Sequence, residues 1–245
     1  MIALITPTGA RPYQFKICEK LMHRQTYKGD VAWIIVDDSI PVSTDNVKDD
    51  FRKGWTIIKE YPKPLWRQGL NTQGRNISVG INTLMKNYYA GEIEAIFIIE
   101  DDDYYRPVYL EKMMPQIQGY HAAGEMNTIY YNVYFRRYIT NNNRHHVSLF
   151  QVAFSVEEVP TFRMCLQQKF IDAEFFKRLN KEEINIFKDI NLAVGTKGMP
   201  GRHGIGTGHS KAMNMKADFN MVYLKSLIGT KDAEIYERYY GGNGV

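Results

Sequence analysis

Four consecutive acids, Glu100, Asp101, Asp102 and Asp103, follow directly on the apolar run Ala95–Ile99 in IFIIEDDDYYRP. Adjacent carboxylates repel one another, and holding several at a strand end makes chemical sense when a divalent cation neutralises them. Oxygen ligands in this number suit Mg²⁺ or Mn²⁺, which keep coordination positions open for substrate phosphates. The plainer alternative is a solvated acidic turn, or a helix N-terminus where carboxylates complement the dipole. A second acidic pair, Asp37-Asp38, closes the apolar run Val31–Val36. Near the other end of the chain, GMPGRHGIGTGHSK carries five glycines from Gly198 to Gly208. Backbone N–H groups of such a loop can approach phosphates closely, and Arg202, His203 and Lys211 add positive charge. A loop that orders over a bound donor would exclude water; the alternative is a surface loop with incidental histidines. Arg136, Arg137, Arg144, His145 and His146 surround the aromatic stretch TIYYNVYFRRY. Stacked aromatics with Arg suit sugars or bases, but such a stripe is more often sheet core with a solvated edge.

The elements that would position these groups alternate strand and helix through the first hundred residues. Ile2–Thr6, Val31–Val36, Trp55–Ile58 and Ala95–Ile99 read as short apolar strands, and Tyr13–Gln25 and Asn76–Tyr89 as helices. This alternation predicts a mainly parallel sheet covered on both faces. Ligands bind at the carboxyl ends of such strands, where Thr6, Asp37 and Glu100 fall. In the second half, Thr128–Arg137 and Val147–Val156 read as long antiparallel strands separated by an Asn141–His146 turn, Asp172–Leu179 as a helix, and Ile186–Lys197 as a second helical stretch. No repeat or linker divides the chain, which reads as one domain with a nucleotide-binding half, 1–103, and an acceptor-binding half, 104–245.

Composition narrows the classes. A net charge of +4 over 245 residues permits a polyanionic partner without arguing for one. Two cysteines, Cys18 and Cys165, cannot build a disulfide scaffold, which favours a reducing cytoplasm. The opening MIALITPTGARP reads as a strand rather than a targeting segment. No apolar run approaches the roughly 20 residues that span a bilayer, so no integral membrane association is expected.

Several segments together resemble the family 2 glycosyltransferases of the GT-A (Rossmann-like) fold: ITPTGARPYQFKICEKLMHRQTY at the first strand, loop and helix, VAWIIVDDS at the second strand, GRNISVG, IFIIEDDDYYRPVYLEKM at the DxD strand, KFIDAEFFKRL, and FKDINLAVGTKG at the Glu-Asp helix. Tyr104–Met164 is the part least matched. The resemblance implies that Thr6, Pro7, Thr8 and Arg11 line the nucleotide pocket, that Asp37 or Asp38 accepts hydrogen bonds from the base or ribose, and that Arg75 lies near the base or diphosphate. Asp101 belongs to the donor site. Asp102 matches the metal-binding second acid of DxD; Glu100 stands where the family has the first Asp. Asp189 matches the general base, although Lys188 replaces the Glu before it, and Asp172 is a rival base. Arg202 would assist the diphosphate, and His209 is placed like the late His that completes the metal site.

The expected activity is therefore transfer of a sugar from a nucleotide sugar, UDP-linked by preference, to an acceptor hydroxyl, with Mn²⁺ or Mg²⁺ and with inversion. The acceptor stays open, a nucleic acid or anionic glycan among the choices. Two alternatives come from other classes: a sugar-phosphate nucleotidyltransferase, against which TPTGARP offers a single Gly where a phosphate loop is needed, and a non-catalytic carbohydrate- or nucleic-acid-binding protein on the same fold.

Overall fold

IALITPT places seven apolar or small residues in a row with no exposed position, as a strand covered on both faces requires. It forms β1 (Ile2–Thr8) in the computed structural model, which describes residues 1–48, 51–68, 70–202 and 214–240. Pro12, whose ring fixes φ for the first turn, opens α1 (Pro12–His23), which buries Phe15, Cys18, Leu21 and Met22 on one stripe. Next come β2 (Val31–Asp37), β3 (Trp55–Glu60), α2 (Gln73–Asn87) and β4 (Ala95–Ile98). Gly80 lets α2 lie close on the sheet, since a Cβ there would stand 2.6 Å from Ile5 Cγ2. The chain continues through β5 (Tyr104–Tyr105), α3 (Tyr109–Ile117), β6 (Ala122–Glu125), β7 (Asn127–Asn132), β8 (Arg137–Asn142) and β9 (Val152–Phe154). It ends with α4 (Val159–Cys165), α5 (Ile171–Arg178), β10 (Ile184–Phe187), β11 (Ala193–Lys197), β12 (Lys216–Ala217), α6 (Val222–Ile228) and α7 (Thr230–Glu237).

The main sheet has seven strands in the order β10-β6-β9-β4-β1-β2-β3, and β9 alone runs against its neighbours. A second sheet, β12-β8-β7-β11-β5, adjoins it. Successive strand residues face opposite sides, so Leu4, Trp33 and Phe97 join one core with α1, α3, α6 and the second sheet, whereas Ile5, Ile34 and Ile98 join another with α2, α4 and α5. Each such side chain removed from water contributes about 1.5–3 kcal/mol. Because β1, β2 and β4 are parallel, their carboxyl ends share one rim, and Thr8, Asp38 and Glu100 meet there. No helix among the described residues is long and apolar enough to cross a membrane.

The first half matches the sequence expectations closely; the second departs in three places. Thr128–Arg137 is a hairpin rather than one strand: β7 and β8 pair antiparallel, and the Asn132 side chain accepts a 2.9 Å bond from Phe135 N–H to hold the reversal. Val147–Val156 contributes only the short β9, preceded by a 3₁₀ turn over Leu149–Gln151. Ile186–Lys197 is not helical. Its ends are recruited as strands, β10 by β6 and β11 by β7 and β5, so pairing with distant strands overrides the local apolar spacing.

Candidate active site

At the end of β4 the backbone turns within three residues, with Glu100 N–H donating to Tyr105 Oη at 2.9 Å and Asp103 N–H to Glu100 O at 3.3 Å. This turn points four carboxylates at neighbouring elements. Asp101 accepts from Thr8 Oγ1 at 2.5 Å. Arg11, just ahead of α1, reaches Asp101 at 3.1 Å and Asp102 at 2.6 Å. Glu100 accepts from Gln73 Nε2 at 2.9 Å. Asp103, fully buried, accepts from Thr196 N–H at 2.8 Å and pairs with Lys197 Nζ at 3.1 Å. Lys197 Nζ also lies 3.9 Å from Glu100 and 3.9 Å from Asp102.

Burial raises the acids, pushing the Asp101 carboxyl up to about 7 and Asp103 well above the carboxylate range, while Arg11 and Lys197 respectively pull the other way. Glu100 is raised for the same reason. Burial works against the Lys197 ammonium, but Asp102, Asp103 and Glu100 together outweigh it and raise its pKa. One oxygen from each of Glu100, Asp102 and Asp103 comes within 4.8 Å of the others, a donor set that could hold a metal ion. Lys197 meets all three groups, so as arranged they do not fit a divalent cation as well.

Glu100, Asp101 and Asp102 line a cleft of about 480 Å³. Pro7, Thr8, Arg11, Asp38, Trp66 and Arg202 line it too. Asp38 pairs with Arg202 at 2.7 Å and with Arg75 at 3.7 Å, and the Arg202 guanidinium stacks on Trp66 at 4.9 Å. The structure separates the two acids of the doublet: Asp37 is absent from the lining and is used up accepting from Ser39 N–H, Ser39 Oγ and Ser43 N–H. Thr6, expected in the nucleotide pocket, is fully buried, and its hydroxyl accepts from the Trp33 indole N–H at 2.9 Å. Arg75 donates to Lys63 O at 2.7 Å and borders the cleft through Asp38.

The lining also includes Tyr130, His146, Ser148, Lys169, Phe170 and Asp172. Asp172, in the first turn of α5, is raised by burial, against which backbone N–H groups and His146 act. Asp189 is not among the lining residues. It follows β10, at the far edge of the main sheet, and bonds its own neighbour Ile190 N–H. The expected helix that would have presented it is absent. Of the basic cluster, His146 lines the cleft, whereas Arg136 donates to Phe219 O and stacks on Tyr240 at 3.9 Å. His203, His209 and Lys211 lie outside the described residues. Sequence reasoning missed Lys197, Gln73 and Tyr130. A lysine inside the apolar run AVGTK was the available signal for the first.

No protein-family model and no curated protein sequence matches the chain. Solved structures do. TarS 1–349 of S. aureus superposes with a TM-score of 0.55 at 12% identity, over 80% of this chain and 60% of that one. The same TarS fragment in complex with UDP-GlcNAc gives 0.52 at 13% identity, over 83% and 60%. A longer TarS structure gives 0.52 at 13%, over 80% and 36%. The chain has the GT-A fold. It spans 60% of the TarS fragment and 36% of the longer TarS chain. In this GT-A fold the cleft sits where the carboxyl ends of β1, β2 and β4 converge, as the alternation of strands and helices required.

Proposed function

We propose that the cleft binds a nucleoside-diphosphate sugar and transfers the sugar to an acceptor hydroxyl. One observation carries this: a polar cleft at the strand rim of a GT-A fold brings together Asp38, the cationic side chains Arg11, Lys197 and Arg202, and the half-buried acid Asp172. TarS, which shares the fold, has been crystallised with UDP and with UDP-GlcNAc, and this supports a UDP-linked donor.

In this arrangement Asp38 accepts from the base or ribose once Arg202 turns from it toward the diphosphate. Arg11 and Arg202 stabilise the charge that grows on the departing nucleoside diphosphate. Asp172 takes the proton from the acceptor hydroxyl as the oxygen bonds to the anomeric carbon and the bond from that carbon to the diphosphate breaks. A single displacement of this kind inverts the anomeric carbon. Asp172 replaces Asp189 as the base because it lines the cleft and Asp189 does not.

Titration calorimetry with UDP, GDP, CDP and dTDP tests the donor assignment. UDP binding, lost by at least about tenfold in Asp38→Ala, is the expected result. Failure of all four nucleotides to bind refutes the proposal.

A further inference from the structure

The acidic turn holds a cation of its own. Every carboxylate in Glu100–Asp103 has a protein cation no more than 3.9 Å away: Lys197 for Glu100 and Asp103, Arg11 for Asp101, and both for Asp102. The three groups able to hold a divalent ion are the same three that surround Lys197 Nζ. The geometry points to Lys197 as the resident counter-ion of this cluster, its ammonium holding the place of a divalent cation and presenting positive charge to the donor diphosphate.

Several features fix the ammonium there. Lys197 ends β11, in register with Asn132 of β7, and is only 5% exposed. Its neighbour Thr196 donates its N–H to Asp103, so the strand and the acidic turn are joined beside the ammonium. The Tyr130 ring centroid lies 5.7 Å from Nζ, a distance at which an aromatic face attracts a cation. Gly198, at φ 82, turns the chain immediately afterwards in a conformation that suits glycine. A lysine suits this position, being a compact point charge that three carboxylates can share, whereas a planar guanidinium demands a fork. Lys197 also lines the cleft alongside Glu100, Asp101 and Asp102, so the charge faces the bound ligand as well as the acids.

A divalent ion entering this cluster meets an ammonium already among its ligands, and like charges at such separations repel strongly in a buried setting. Two results follow. The nucleotide-free protein binds Mn²⁺ poorly, and donor binding needs no added metal; the second rests on the nucleotide-sugar proposal, the first does not.

Free Mn²⁺ is counted by its electron paramagnetic resonance signal during titration of the full chain and of Lys197→Met, with circular dichroism reporting folding. The expected outcome is that wild type leaves the signal undiminished while Lys197→Met binds one Mn²⁺ about tenfold more tightly or better. Equal Mn²⁺ affinity in a folded Lys197→Met, or tight Mn²⁺ binding by wild type, overturns the assignment. If Lys197→Met does not fold, wild type decides alone: UDP affinity in EDTA is expected within about twofold of that with Mn²⁺, and a tenfold loss in EDTA overturns it. UDP binding in neither condition counts against the nucleotide-sugar proposal, and the wild-type Mn²⁺ titration then still decides the role of Lys197.

Discussion

Replacing Asp172 with Asn removes one proton-accepting group and little else. The backbone N–H groups of Ala173 and Leu149 favour the charged carboxylate, and the Asn amide matches it in size and still offers them an oxygen. Loss of a positioned general base costs about 10²–10⁴ in rate, which is roughly 3–5 kcal/mol of transition-state stabilisation. Donor affinity should change little, because the proposed donor contacts Asp38, Arg11 and Arg202 pair with one another or with Asp101 and Asp102 rather than with Asp172. The assay needs no known acceptor: water serves as a surrogate, and UDP release from UDP-GlcNAc is followed over time. The pH profile adds an independent reading. Burial raises the Asp172 pKa, the base must be ionised to act, and so wild-type activity falls as pH drops through a value above the usual Asp range. Asp172→Asn should lose that acid limb along with the rate, and Asp189→Asn should keep both. Wild-type turnover with an unchanged acid limb in Asp172→Asn would refute the assignment, as would collapse of activity in Asp189→Asn with donor binding intact.

Two further substitutions test structural claims. Thr6→Val strands the buried Trp33 indole N–H and should cost about 1–3 kcal/mol in urea unfolding while leaving UDP affinity unchanged; a loss of affinity without a loss of stability would return Thr6 to the nucleotide site. Glu125, which accepts from Asn191 and Leu192 N–H, has its carboxyl pushed up to about 7 by burial from an ordinary value of 4.5. An acid raised on folding binds a proton in the native state that the unfolded chain has released, so stability falls as pH rises between those values, by up to roughly 3 kcal/mol. Glu125→Gln should flatten that decline between about pH 4.5 and pH 7, and unfolding midpoints that stay parallel to wild type would show that Glu125 is not its source.

What could be read from the sequence followed from how local each signal was. β1, β2 and β4 are buried on both faces and appear as unbroken apolar runs, and their parallel order fixes the rim on which Asp38 and Glu100 stand. The Asp37-Asp38 doublet could not be resolved because adjacent residues point to opposite sides, and which side meets Ser39 and Ser43 depends on how the following turn folds back. The helix expected to present Asp189 is absent: a helix over Ile186–Lys197 required that no distant strand claim its ends, and β6 and β7 claim both. Asp172 was visible as a rival, but its standing depended on α5 opening into the cleft, a fact of packing. Lys197 was hidden for the same reason, since only the joining of β11 to β5 carries it to the acids.

That joining limits how the acidic turn can be dissected. Residues 100–103 link β4 of the main sheet to β5 of the second, and β5 pairs with the strand that ends in Lys197. Asp103 binds the backbone of that strand as well as its lysine and has no exposed surface, so its removal loosens the sheet junction and disturbs the cleft together. A dead Asp103→Ala protein would therefore say nothing about charge. Glu100 is the cleaner probe: its oxygens meet Gln73 at 2.9 Å and Lys197 at 3.9 Å, its side chain is 17% exposed, and among the described residues neither oxygen accepts from a backbone N–H. Replacing it with Gln keeps volume and hydrogen bonding while removing one of the three negative charges around the ammonium. The electrostatic role of the run is thus separable from its structural role at its first residue and inseparable at its last.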